Sequence, residues 1–216
     1  SCRNHIFNFL IQRRNCRFAA ATGHRYEIVV TEATCTTEGY TGDTVCTTHH
    51  VTLVPDGILY KHVMNDTNVT TGAYAASRMY TEGLNQAKET LEAAFGAAHL
   101  LNHRQYFANA VADTGYESGG SWYDANLALM TEQNVFGCNV FANCKHGSSI
   151  PHARTLDKSQ FPLFAFRPDR IGNRQMYWLR NVASNSHFSA VATAAHPYYN
   201  NASGSGGVRP AFSIIG

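Results

Sequence analysis

The chain has 216 residues, with 17 Lys and Arg against 15 Asp and Glu, a formal net charge of +2. Hydrophobic residues make up 44% and charged residues only 15%, well below the usual quarter. This composition builds an ordinary core and finishes the surface with Asn, Ser, Thr, Tyr, Gly and His. It argues against a nucleic-acid partner, because attraction to a phosphate backbone needs a larger positive excess, and no run of roughly 18 apolar residues offers a membrane span.

In chain order, residues 1–22 read as a basic tail or linker around Arg13, Arg14 and Arg17. The start has a short apolar run without a small-residue cleavage site, so it is not taken as a signal peptide. Residues 23–54 read as a small β module. Tyr26–Thr31 is β-branched and strand-like, and Gly39–Asp43 is a turn between Cys35 and Cys46. These words resemble short repeat modules in surface proteins of gut bacteria. A zinc site from Cys35, Cys46 and either His49 or His50 has an incomplete ligand set, so no metal is expected. Among six cysteines the local pairs are Cys35 with Cys46 and Cys138 with Cys144, one of many arrangements six cysteines allow.

The main domain is expected over 55–216, from the turn Pro55-Asp56-Gly57. Asn85–Phe95 is the clearest helix. Leu91, Ala94, Phe95 and Ala98 fall on one face, Lys88 and Glu92 pair one turn apart, and Gly96 ends it. A loop over 115–120 and a second helix from Ser121 or Asp124 through Thr131 are expected next. Beyond Gly137, Pro151, Pro162 and Pro168 interrupt extended pieces. The order of two helices, then short mixed strands and much loop, reads as α+β.

The last forty residues divide. Tyr177–Arg180 and Val208–Ile215 look like core strands. Residues 181–206 contain no Lys, Glu, Gln, Met or Trp, while the other 190 positions hold 24 of them. Codons ending in a pyrimidine cannot encode those five, and an Asn codon mutated at its adenines yields only such codons. A loop rich in Ser, Asn and Gly avoids the same residues for its own reasons.

The words "GLNQAKETLEAAFGAAHLL", "GGSWYDANLALMTEQNVFG", "LDKSQFPLFAFRP", "YWLRNVASNSHFSAV" and "GVRPAF" resemble variable proteins of diversity-generating retroelements. These are tail or surface proteins of gut bacteria and their phages. The resemblance covers about residues 57–216. It implies a C-type lectin-like fold that displays a diversified stretch, here the variable region 181–206, to a protein or glycan ligand on a target cell surface. It implies a place in a phage tail or on a bacterial surface, and multivalent display would gain from a homo-oligomer.

The variable positions it implies are Asn181, Asn185, His187, Ala190, Ala192, Thr193, Ala194, His196, Tyr198, Asn200, Gly204 and Gly206, and several of them carry Ala or Gly. Trp178, Arg180, Arg209 and Phe212 fall to the scaffold, with both arginines buried against local carboxylates or carbonyls. Rigid tyrosines with adaptable Asn, Ser and Thr suit a binding surface.

No catalytic residue is expected. The eleven histidines form no HExxH, and no GxSxG or GxxxxGK word occurs. Formylglycine-generating enzymes share the fold class but need cysteines near the end of the chain, and here the last is Cys144. The words "EPN", "QPD" and "WND" of calcium-dependent lectins are absent, so no calcium or other cofactor is expected. A purely structural tail or surface module is the remaining alternative.

Overall fold

A computed structural model describes residues 9–13, 50–142, 160–172 and 174–215. Cys2, Cys16, Cys35, Cys46, Cys144 and His49, and with them most of the β module expected over 23–54, lie outside the described residues.

The helix expected over Asn85–Phe95 forms over those residues as α1. Ala87 and Leu91 are buried, and Gly96 ends the helix at φ 85°, a conformation costly for any residue with a Cβ. Lys88 and Glu92 pair at 3.8 Å. Ala94 and Ala98 are exposed, contrary to expectation. The inward stripe runs through residues 87, 91 and 95 instead, and Phe95 meets Phe212 with ring centroids 5.6 Å apart.

The second helix expected from Ser121 or Asp124 does not form. Residues Glu117–Ala125 are strand β5, antiparallel to β4 (His103–Val111), and Leu127–Leu129 is β6. Of the expected 115–120 loop only Gly115, at φ 84°, and Tyr116 sit in the connecting turn. The period is two: Tyr123 and Ala125 face the core, while Trp122 and Asp124 are exposed. The short helix α2 (Glu132–Phe136) follows, opened by a capping box between Thr131 and Asn134. Helix α3 is Pro162–Phe166.

Strand β2 (His50–Pro55) pairs antiparallel with the last strand, β11 (Pro210–Ile215). The domain therefore includes residues from His50, inside the stretch assigned to the preceding module, rather than starting at 55. Strand β1 (Phe9–Arg13), within the expected tail, adds to β2, and the first sheet runs β1-β2-β11-β6. A second sheet takes β3 (Tyr60–Val63), β10 (Ser205–Val208), β7 (Tyr177–Ser184), β8 (His187–Val191) and β9 (Pro197–Asn201), in that order. Strands β4 and β5 form a separate ribbon. The architecture is α+β, mostly strand with few helices. Among the described residues no helix is long and apolar enough to cross a membrane.

The second sheet is packed on both faces. Trp178, Val182, Phe188 and Ala190 join the main core with Met64, Leu91, Phe107 and Phe212. Tyr177, Leu179 and Val191 face a smaller core with Val54, Met130 and Phe164. Trp178 and Phe212 are 0% and 1% exposed, and the Trp178 indole N–H donates to the His62 carbonyl at 2.9 Å. Arg209 is fully buried between the rings of Tyr177 and Phe164. Its guanidinium donates to the carbonyls of Pro55, Ile171 and Arg170 at 2.9–3.1 Å. It thereby ties the end of β2 to the 170–171 turn.

Candidate binding surface

The stretch 181–206 comprises the end of β7, the β8–β9 hairpin and the start of β10. Its sequence explains the hairpin. Phe188, Ala190 and Val191 are buried, so β8 is an interior strand. Pro197, Tyr198, Tyr199, Asn200 and Asn201 are all exposed or half-exposed, as befits β9 at the sheet edge.

The twelve candidate positions do not form one patch. Asn181, Ala190, Ala192 and Gly206 are buried. Ala190 lies in the main core. Gly206 is pressed against the Trp178 ring, so that a Cβ there would stand 2.6 Å from the indole nitrogen. Gly204 is half-buried and crowded by Asn200. The others reach the surface at three places. Asn185 sits in the β7–β8 turn, where its amide donates to the Asp113 carbonyl at 3.1 Å. Thr193, Ala194 and His196 sit in the β8–β9 turn at the opposite end. His187, Tyr198 and Asn200 lie on the strands between.

The centre of the surface is aromatic. Tyr198 and Tyr199 are 43% and 46% exposed, with near-parallel rings 6.1 Å apart. Tyr199 stands edge to face with His187 at 5.2 Å and with Phe141 at 5.0 Å. Tyr199 and Phe141 were not among the candidate positions. Phe141 carries no sequence signal for this role, since its partner lies 58 positions away.

A buried carboxylate places Phe141. Glu132, 0% exposed at the start of α2, accepts the backbone N–H groups of Val140, Phe141 and Ala142 at 2.6–3.2 Å. The Glu132 N–H in turn donates to Asn181 Oδ1 at 2.8 Å. Asn181, expected as a displayed position, is thus an internal brace. Cys138 in the same loop is an exposed free thiol; its expected partner Cys144 lies outside the described residues.

The β9 edge is nearly closed to another strand. In an antiparallel pair every second residue turns its backbone groups away from the partner. Bonds from Ala192 N–H to His196 O and from Ala202 N–H to Ser186 O bracket the pair. Pro197, Tyr199 and Asn201 are therefore the outward residues. Pro197 has no N–H. The Asn201 N–H is held by Asn200 Oδ1 at 2.9 Å, and its carbonyl by Gly204 N–H at 2.8 Å. Only Tyr199 keeps an outward N–H. A partner here meets side chains rather than a pairing edge.

Beside this surface lies a small cleft of mixed polarity lined by Tyr106, Ala108, Glu117, Thr131, Gln133, Asn139, Arg180 and Asn181. Glu117 accepts the Val182 N–H at 2.9 Å. Burial pushes its carboxyl up to about 7, against the pull of that bond and of Arg180, with Glu132 adding to the rise. Arg180 donates to Gln105 Oε1 at 3.1 Å and lies 4.9 Å from the Phe107 ring centroid. Among the described residues no group of three His, Cys, Asp or Glu is placed to hold a metal ion.

The chain matches no family model, no curated protein and no solved structure.

Proposed function

We propose that this chain is a binding protein rather than an enzyme. On this reading it presents the β8–β9 hairpin, on a C-type lectin-like frame, to a macromolecular target on a cell surface, as a phage-tail or bacterial-surface protein. The observation that carries it is the division of the last forty residues. Trp178, Arg209 and Phe212, at 1% exposure or less, bracket a hairpin whose Tyr198 and Tyr199 are nearly half exposed. Buried flanks fix one backbone while the exposed side chains between them are free to differ. Two tyrosines supply contact area at low entropy cost, and Asn185, Thr193, His196 and Asn200 around them supply adaptable hydrogen bonds. The blocked β9 edge favours recognition through those side chains.

The test is a display library randomised at Asn185, His187, Thr193, Ala194, His196, Tyr198 and Asn200, selected on immobilised lysozyme as an arbitrary target. Folded binders should emerge at these positions. If most members fail to fold, or if a control library at exposed residues of α1 yields binders as often, the hairpin is not a display surface.

A further inference from the structure

The cleft lies almost wholly outside 181–206, and its chemistry points to a ligand of its own. On the outer face of the β4–β5 ribbon, Trp122 is 46% exposed, whereas the chain's other tryptophan, Trp178, is fully buried. Trp122 pairs across the ribbon with Tyr106, their rings T-shaped at 5.3 Å, and the Arg104 guanidinium lies 5.4 Å from the indole. Tyr106 is held flat against the backbone of Gly120, where a Cβ would stand 2.4 Å from its ring. That ring is also a wall of the cleft. An exposed indole and this hollow therefore share one side chain.

The hollow offers three neutral amides, Gln133, Asn139 and Asn181, with one carboxylate, Glu117, and one guanidinium, Arg180. Arg180 faces Glu117 across the hollow, so an anion meets the carboxyl and a cation meets the guanidinium, and neutral hydrogen-bonding groups outnumber both. Hydroxyl groups suit both, because they donate to a carboxylate and accept from amides and guanidinium. The hollow takes only a group or two of hydroxyl size, so a ring must lie outside it, against the indole.

We propose that Trp122 and the Glu117–Gln133–Asn139–Asn181 cleft bind a neutral sugar. Its apolar face rests on Trp122 beside Tyr106, and a hydroxyl enters the cleft. The site belongs to the frame, and it stands or falls independently of the hairpin.

The experiment is saturation-transfer NMR on the full chain with neutral hexose and N-acetylhexosamine oligomers, alongside sialylated and sulfated ones. At least one neutral oligomer should receive saturation and shift the Trp122 fluorescence. Trp122→Ala and Gln133→Ala should each weaken binding at least fivefold, with circular dichroism unchanged, and Tyr198→Ala should leave it intact. If Trp122→Ala does not fold, Gln133→Ala decides alone. No transfer from any neutral sugar, transfer from acidic sugars only, or transfer indifferent to Gln133 would overturn the proposal.

Discussion

The backbone N–H of Phe141 is held by the fully buried carboxylate of Glu132, and this bond fixes the Phe141 ring against Tyr199. Three consecutive amides share that carboxylate, so a framework acid shapes part of the exposed surface. Glu132→Ala removes the acceptor shared by these donors, two of them part-buried and that of Ala142 buried, at a cost of about 1–3 kcal/mol. Urea denaturation should show the loss. Amide exchange at residues 140–142 should rise well before global unfolding, and unchanged protection there would contradict the role given to Glu132.

Frame and display should separate cleanly on mutation. Trp178→Ala removes a fully buried ring and its bond to the His62 carbonyl, at about 3–5 kcal/mol. Tyr198→Ala and His196→Ala alter exposed side chains and should stay within about 0.5 kcal/mol of the parent. Thermal melts of the three variants decide it, and a normally folded Trp178→Ala would refute the frame.

Gly206 provides a sharper case, because the resemblance places it among the variable positions. A Cβ there would stand 2.6 Å from Trp178 Nε1 and 2.9 Å from the Met176 methyl. Gly206→Asn should therefore destabilise by about 1–3 kcal/mol, measured as a fall in urea midpoint at constant m-value. A neutral outcome would return the position to the displayed set.

Glu117 links stability to pH. Its carboxyl titrates near 7 in the folded chain, above its ordinary 4.5. Between those values the folded chain holds a proton that the unfolded chain has released. Its contribution is thus fully present below pH 4.5, fades as pH rises to about 7, and is level above. The loss is at most about 3 kcal/mol. Glu117→Gln retains an acceptor for the Val182 N–H and removes the titration. Urea midpoints at pH 5 and pH 8 should differ less in this variant than in the parent, and equal differences would contradict the assignment.

What was legible in the sequence follows from the range of the interactions. Helix α1 was readable because its stripe and its terminating Gly96 are local. The second half of β5, from Ser121, and β6 read as helix because Leu127, Met130 and Thr131 mimic helical spacing, although Trp122 and Asp124 already alternate with Tyr123 and Ala125. The bracing of Asn181 against Glu132 crosses 49 positions, and the Phe141–Tyr199 contact 58; neither leaves a local pattern. The burial of Ala190 is foreshadowed by its neighbours Phe188 and Val191, but the variable pattern that the resemblance implies groups it with the exposed residues around it.

The central claim is that the hairpin diversifies on a fixed frame, and sequencing this locus across related strains tests it most directly. The account predicts substitutions concentrated at Asn185, His187, Thr193, Ala194, His196, Tyr198 and Asn200 and falling on adenines of a near-identical template copy. Trp178, Phe188, Gly206 and Arg209 should stay constant. If residues 181–206 vary no more than 100–142, or if substitutions ignore the division between buried and exposed positions, the hairpin is not a diversified binding surface.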